Sequence, residues 1–284
     1  MIFLKIAAGI VCIFILYLFM TKPYTPKRLY GFPCDFAHRG LHGNFGGKFR
    51  AENSLAAFRA ACEENFGIEL DVRLSKDGIP IVFHDQSLKR MCRIDRKTSE
   101  LTASELGNSR LISSTDTIPT LKQVLTLVNG RVPLLVEIKG TFCVTDICLK
   151  VAELLDDYSG KYYIESFSPK VLRWFYKHRP EVMRGQLAER FITRPGHRLP
   201  HFWLFEFMCF NFLAHPDFVS FNYRHRKFFP YLILKRLFKV ASVAWTVTSQ
   251  SEKDESAAYF DAVIFENFLP SQPAANNPNT SAGS

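Results

Sequence analysis

A chain of 284 residues, 47% hydrophobic and 22% charged, is long enough to bury one large core, and a single α/β barrel lies within that length; nothing marks a second folded domain. Its formal charge of +9 is concentrated between Lys170 and Lys239, where fourteen Lys and Arg face four acids. That stretch suits anionic partners such as phosphate esters or acidic lipid, or is a solvated basic face, and without a recognisable reading motif it implies no nucleic-acid partner.

Residues 2–20 are apolar apart from Lys5, enough to cross a thin bilayer or to act as a signal sequence. No small-residue cleavage pattern follows Met20, where Thr21-Lys22-Pro23 stands, so residues 1–22 read as an uncleaved transmembrane anchor. Lys22, Lys27 and Arg28 downstream, against Lys5 and the amino terminus upstream, place the folded domain in the cytoplasm. Seven cysteines at scattered positions, Cys12 inside the apolar run, give no disulfide framework and agree with a reducing compartment. Residues 23–33 read as a linker, 34–270 as one domain, and 271–284, rich in Pro, Asn, Ser and Ala, as a disordered tail.

Asp35 to Gly40 reads as a short strand ending in His38-Arg39-Gly40, followed from Leu41 to Ala51 by a flexible loop around Gly43-Asn44-Phe45-Gly46-Gly47. A helix runs from Leu55 to Asn65, with Asn53 or Ser54 as its N-cap. In the next strand Glu69 and Asp71 stand two apart and leave one face. Two carboxylates so placed repel unless a cation lies between them, and Mg²⁺ or Ca²⁺ fits oxygen ligands; solvation of one carboxylate at a strand end is the alternative. Lys76-Asp77-Gly78 is turn chemistry, so the apolar run Ile79 to Phe83 returns antiparallel and brings His84 and Asp85 alongside the pair. A titratable imidazole there serves either acid–base chemistry or structure.

Residues 86–120 read as irregular, with one short helix opening at the Thr102 to Glu105 capping pattern. Leu121 to Val128 is a helix and Pro133 to Lys139 a strand ending Glu137-Ile138-Lys139, where Glu137 completes a three-carboxylate metal site and Lys139 meets an anionic oxygen, or the two form a plain salt bridge. Strands at Tyr162 to Phe167, Met183 to Ala188, Phe218 to Tyr223, Val240 to Val247 and Ala262 to Glu266 alternate with helices near 169–178, 200–213, 226–239 and 251–260. Eight alternating units predict a (β/α)₈ TIM-type barrel with a hairpin extension after its second strand and the apolar helix at its amino terminus. In that fold functional groups gather at the carboxyl ends of strands, where His38, Arg39, Asp71, Glu137 and Lys139 all fall. The helices from His201 to Ala214 and from Arg226 to Lys239 mix aromatic with basic residues, which suits either a membrane interface or aromatic packing on a barrel.

The ordered set His38-Arg39-Gly40, Glu52-Asn53-Ser54, Glu69-Leu70-Asp71-Val72, Lys76-Asp77-Gly78, His84-Asp85 and Glu137-Ile138-Lys139 resembles the glycerophosphodiester phosphodiesterase family. The resemblance spans about residues 34–270, is strongest in the first half, and is supported later by Ser166-Phe167-Ser168-Pro169 and Trp245-Thr246-Val247. It implies a barrel that hydrolyses glycerophosphodiesters to glycerol 3-phosphate and an alcohol with a divalent metal, Mg²⁺ or Ca²⁺. By position, Glu69, Asp71 and Glu137 would ligate the metal, His38 and His84 would be the acid–base pair, and Arg39, Lys139 and Trp245 would bind substrate. The chain departs from the family pattern in a long loop between Gly40 and Glu52, in Thr248 where Asn commonly follows Trp-Thr-Val, and in Phe265-Glu266-Asn267 where Thr-Asp is usual; these positions are expected around the mouth, where they bear on substrate identity. Lysophospholipids are then substrates to consider beside soluble diesters, as are a phospholipase D-like or cyclising activity and a non-catalytic, membrane-anchored lipid-binding barrel.

Overall fold

The computed structural model describes residues 1–24, 32–45, 47–140, 143–190 and 200–271. In chain order its strands are Phe36–Ala37 (β1), Gly43–Phe45 (β2), Lys48–Arg50 (β3), Gly67–Leu74 (β4), Pro80–Val82 (β5), Leu134–Ile138 (β6), Tyr162–Ser166 (β7), Arg184–Ala188 (β8), Phe218–Asn222 (β9), Ala241–Val247 (β10) and Ala262–Phe265 (β11). Its α-helices are Ile2–Thr21 (α1), Leu55–Glu63 (α2), Lys89–Cys92 (α3), Ala103–Gly107 (α4), Leu121–Val128 (α5), Val144–Asp156 (α6), Pro169–His178 (α7), Pro200–Glu206 (α8), Asn211–Ala214 (α9), Phe229–Arg236 (α10) and Gln250–Ser256 (α11). Eight strands run parallel, and β1 pairs with both β4 and β11, which closes the sheet into the expected barrel.

These strands are buried on both faces, so they read as apolar runs in which one parity faces the helices and the other the barrel interior. Ile68, Leu70, Val136, Ile164 and Val219 pack outward in the main core. Phe36, Leu135, Tyr163, Phe218, Val243 and Ile264 form a separate cluster that plugs the interior. Each plug residue lies two positions before a polar one, His38, Glu137, Glu165, Ser220, Trp245 and Glu266 respectively, so period two carries the polar layer to the carboxyl ends of the strands. Gly185 admits the Phe218 ring into the plug; a Cβ there would come within 2.1 Å of it.

β5 returns antiparallel along β4, pairing Val72 with Val82, as the turn chemistry requires. Gly78 sits at φ +74°, a conformation that favours glycine, and Ser75 Oγ bonds Asp77 Oδ1 to close the turn. Other details differ from the sequence reading. The expected flexible loop after Gly40 contains a second hairpin, β2 with β3, whose Gly43 and Gly47 lie at positive φ. The expected helix over 200–213 is two short helices, broken where Met208 turns left-handed at φ +54°. α6 has its apolar side chains at Ile147, Cys148, Val151, Ala152 and Leu155, the spacing of an amphipathic helix, although the sequence reading leaves it unassigned. Residues 25–31 of the expected linker and 272–284 of the tail lie outside the described residues.

α1 is long and apolar enough to cross a membrane, with mean hydropathy 2.6. Its last turns dock on the barrel. Tyr17 meets Phe207 edge-on at 6.2 Å, Phe19 lies 6.3 Å from Phe212, and Asn211 Nδ2 donates to the carbonyl of a fully buried Thr21. Just beyond, Tyr24 packs on Tyr176 and His215.

Candidate active site

The polar layer opens into a cavity of about 290 Å³ at the carboxyl ends of the strands, lined by His38, Arg39, Glu69, His84, Glu137, Lys139 and Trp245. Asp71, almost fully buried, lies behind it; carboxylate oxygens of Glu69, Asp71 and Glu137 come within 4.8 Å of one another. Every site residue expected from the sequence therefore belongs to one constellation.

Local backbone chemistry explains the convergence. After β1 the chain turns through Arg39 at φ +53° and Gly40 at φ +80°. A Cβ on Gly40 would come within 2.8 Å of the Phe58 ring and 2.9 Å of the Ala57 backbone, so only glycine lets the turn lie on α2. The turn aims the Arg39 amide at Glu69 Oε2, 2.8 Å away. The next motif divides its work. Ser54 caps α2 by accepting from Ala57 N, whereas Asn53, left-handed at φ +54°, donates from Nδ2 to Asp71 Oδ2 and accepts the Asp71 amide at Oδ1. Glu52 accepts from Arg39 Nη1 and from both terminal nitrogens of Arg90.

The three carboxylates have unequal charge states. Burial raises Glu69 well above the usual carboxylate range, and the charges of Asp71 and Glu137 add to this. Burial acts the same way on Asp71, but Lys139 and Arg39 outweigh it and hold Asp71 well below that range. Glu137 is raised by burial against the opposing charge of Lys139. The Lys139 ammonium stands 2.6 Å from both Asp71 Oδ1 and Glu137 Oε2, so it lines the cavity and also makes the salt bridge offered as the alternative reading. A set of three converging carboxylates, one disfavoured as an anion by the other two, fits a hard divalent cation.

Each histidine has its Nδ1 engaged by a carboxylate. His38 Nδ1 lies 2.6 Å from Glu266 Oε2, and His84 Nδ1 lies 2.6 Å from Asp85 Oδ1. Asp85 Oδ2 accepts in turn from Arg90 Nε at 2.6 Å. Nδ1 is therefore the donor in both rings, which leaves Nε2 as the second nitrogen of each. Burial lowers both imidazole pKa values below the ordinary value, although Glu266 opposes this for His38 and Asp71 for His84.

Sequence reasoning missed several residues. Glu165 and Glu189, both buried, line the cavity with Phe167, which meets Trp245 edge-on at 5.7 Å. Glu165 is pushed up to about 8 by burial, offset in part by the hydroxyl that Ser220 donates to it and reinforced by the charge of Glu137. It stands directly beside Glu137 in the β6–β7 register, a neighbour that only the pairing of the strands supplies. Two of the departures from the family pattern prove to have local roles: Glu266 holds a histidine, and Thr248 donates its amide and hydroxyl to Glu252 at the entry of α11.

Comparison with known proteins converges on one group. The Glycerophosphoryl diester phosphodiesterase family matches residues 38–197. A glycerophosphodiester phosphodiesterase of Bacillus altitudinis is 31% identical over 172 residues, covering 56% of this chain and 68% of the relative. Glycerophosphodiester phosphodiesterase 1 of Bos taurus is 27% identical over 274 residues, covering 82% and 76%. Among solved structures, a phosphodiesterase of Oleispira antarctica in complex with the product sn-glycerol-3-phosphate superposes with TM-score 0.66 at 23% identity, covering 82% of this chain and 92% of that one. A glycerophosphodiester phosphodiesterase from Thermotoga maritima gives 0.62 at 25% identity, covering 83% and 96%.

Proposed function

Because the chain belongs to the glycerophosphoryl diester phosphodiesterase family, we propose that this site hydrolyses glycerophosphodiesters to glycerol 3-phosphate and an alcohol by two-histidine acid–base chemistry beside a divalent metal. The chain is a phosphoric diester hydrolase, and conversion of glycerophosphodiesters to glycerol 3-phosphate is the reaction of its family. One observation carries the mechanistic reading: two imidazoles, each fixed through Nδ1 by its own carboxylate, line the same cavity as the carboxylate triad.

Attack on a phosphodiester adds charge to its non-bridging oxygens, and the leaving alkoxide needs a proton. A lowered pKa leaves one ring neutral, its Nε2 free to take a proton from the nucleophile, while the other ring, having taken up a proton from solvent before the reaction, gives it from Nε2 to the leaving oxygen; exchange with solvent then resets both rings. Glu266 and Asp85 steady the imidazolium that forms on either ring. Arg39 and Lys139 provide positive charge at the cavity wall, and the Phe167–Trp245 pair forms its apolar side. Glu69, Asp71 and Glu137 would hold Mg²⁺ or Ca²⁺, which when bound supplies Lewis-acid stabilisation of phosphoryl charge. We infer also that α1 is retained as a single-pass anchor, because its last turn is built into the barrel.

The test is release of glycerol 3-phosphate from a soluble glycerophosphodiester by the purified chain. Chelation is expected to abolish release and a divalent ion to restore it. Undiminished turnover by metal-free protein overturns the carboxylate site.

A further inference from the structure

The way α1 docks fixes which face of the barrel its apolar end leaves from. In chain order α8 and α9 fall between β8 and β9; Glu206 of α8 pairs with Arg190, just beyond the carboxyl end of β8 at the mouth, and α9 leads into the start of β9 at the opposite face. Two contacts mark the ends of this segment. Phe207 meets Phe228, which precedes α10 just beyond the mouth end of β9, at 5.8 Å. His215 stacks at 4.1 Å on Tyr176 in the last turn of α7, and its carbonyl accepts from Arg184, the first residue of β8. Tyr17 lies against the first marker and Tyr24 against the second, so α1 descends beside this segment from the mouth to the far face. Everything before Tyr17 projects beyond the mouth, and Met1 to Leu16 are all exposed.

Length then locates a bilayer. At about 1.5 Å per residue the whole of α1 spans about 30 Å, the thickness of a hydrocarbon core. The part clear of the barrel, Ile2 to Leu16, reaches only about 22 Å. A transmembrane α1 therefore completes its crossing only if lipid comes down to the rim where Tyr17 docks. The rim there is suited to that contact. On α8, Trp203 is 55% and Leu204 40% exposed, and Phe229 at the start of α10 is 58% exposed. Arg224 and Lys227 stand exposed just before Phe229. Exposed aromatics interleaved with cations are the composition of a membrane–water boundary with anionic headgroups.

We propose that α1 holds the barrel with its catalytic mouth turned toward an anionic bilayer, the rim formed by α8 and the start of α10 seated at the headgroup level. This rests on retention of α1 as an anchor and is independent of the reaction assigned to the cavity. A cleaved α1 would uncover the amide of Asn211, fully buried and bonded to Thr21, together with the rings that Tyr17 and Phe19 cover.

The experiment uses the full chain reconstituted in phosphatidylcholine–phosphatidylglycerol vesicles whose acyl chains carry bromine near the carbonyl. Tryptophan emission is expected to be quenched, and Trp203→Phe is expected to lose most of the quenching. In a Trp203→Phe, Lys177→Trp double variant the new indole, at the exposed end of α7 on the far face, is expected to stay unquenched. Quenching of the Lys177→Trp indole, or a wild-type chain that is unquenched or fails to associate with the vesicles, overturns the proposal. Hydrolysis of a soluble diester by the same preparation reports separately on the reaction. If hydrolysis fails while Trp203 is quenched, the catalytic reading falls and the seating stands.

Discussion

His38 Nδ1 lies 2.6 Å from Glu266 Oε2 although the two residues are 228 positions apart, one after the first barrel strand and the other after the last. Closure of the barrel brings them together, since β1 pairs directly with β11. The hydrogen bond from His38, with the His42 ring nitrogen 3.7 Å away, holds the Glu266 carboxyl far below the usual carboxylate range, so it is an anion at any working pH and an imidazolium on His38 meets a fixed counter-charge.

Glu266→Gln should therefore alter the pH profile in a defined direction. Burial lowers the His38 pKa and Glu266 raises it part of the way back, so removing the carboxylate lowers it further. Whichever limb of the kcat/KM profile belongs to His38 is expected to move to lower pH in this variant. Movement of the acid limb identifies His38 as the base, and movement of the alkaline limb identifies it as the acid. A shift of neither limb, or a shift to higher pH, contradicts the pairing.

Removal of either imidazole tests the acid–base assignment itself. His38→Ala and His84→Ala are each expected to lower kcat by about 10²- to 10⁴-fold. Far-ultraviolet circular dichroism should show a retained fold, because neither ring belongs to the apolar plug. Full activity in both variants would exclude the role given to them.

Asn53 supports Asp71 from behind, and the loss of its two bonds leaves a buried carboxylate under-satisfied. Asn53→Gly keeps the left-handed backbone and isolates the side chain, with an expected loss of about 1–3 kcal/mol in denaturant unfolding. Asn53→Ala adds backbone strain on the order of 1 kcal/mol. Divalent-ion affinity, read by titration calorimetry, should fall roughly 10- to 100-fold in the glycine variant. Wild-type stability and affinity for Asn53→Gly would show that Asp71 does not depend on it.

Two glycines at similar φ separate strain from steric conflict. Gly40→Ala, at φ +80° and against Phe58 and Ala57, is expected to lose roughly 2–4 kcal/mol together with activity. Gly47→Ala, at φ +75° with nothing within 4 Å, should lose only about 1–2 kcal/mol. Equal thermal shifts in the two variants would remove the packing argument for the His38-Arg39-Gly40 turn.

Local periodicity made much of this legible. Glu69 and Asp71 within β4, and Glu137 and Lys139 at the end of β6, are charged pairs two apart, so the pleat alone sends each pair to one face, and a short turn at Gly78 dictates the return of His84. Glu165 and Glu266 are single acids at the ends of apolar runs, and their importance depends on the neighbours that sheet closure supplies: Ser220 and Glu137 for one, His38 for the other. Asn53 and Ser54 are equally good helix caps by residue type; only the approach of Asp71 assigns the cap to Ser54. The break between α8 and α9 follows from tertiary packing that places Met208 at φ +54°, which no helix propensity anticipates.

Glu52 is shared between the two halves of the chemistry: it grips Arg39, which lies against Asp71, and Arg90, which steadies the Asp85 partner of His84. The carboxylate cluster and the His84–Asp85 pair are thus mechanically joined through one carboxylate, and changes on either side should show strong epistasis. In a double-mutant cycle, Arg39→Ala and Arg90→Ala should deviate from additivity by roughly 0.5–3 kcal/mol. Improving one half by substitution would then require retuning the other, which confines the variation this mouth tolerates to walls outside that bridge.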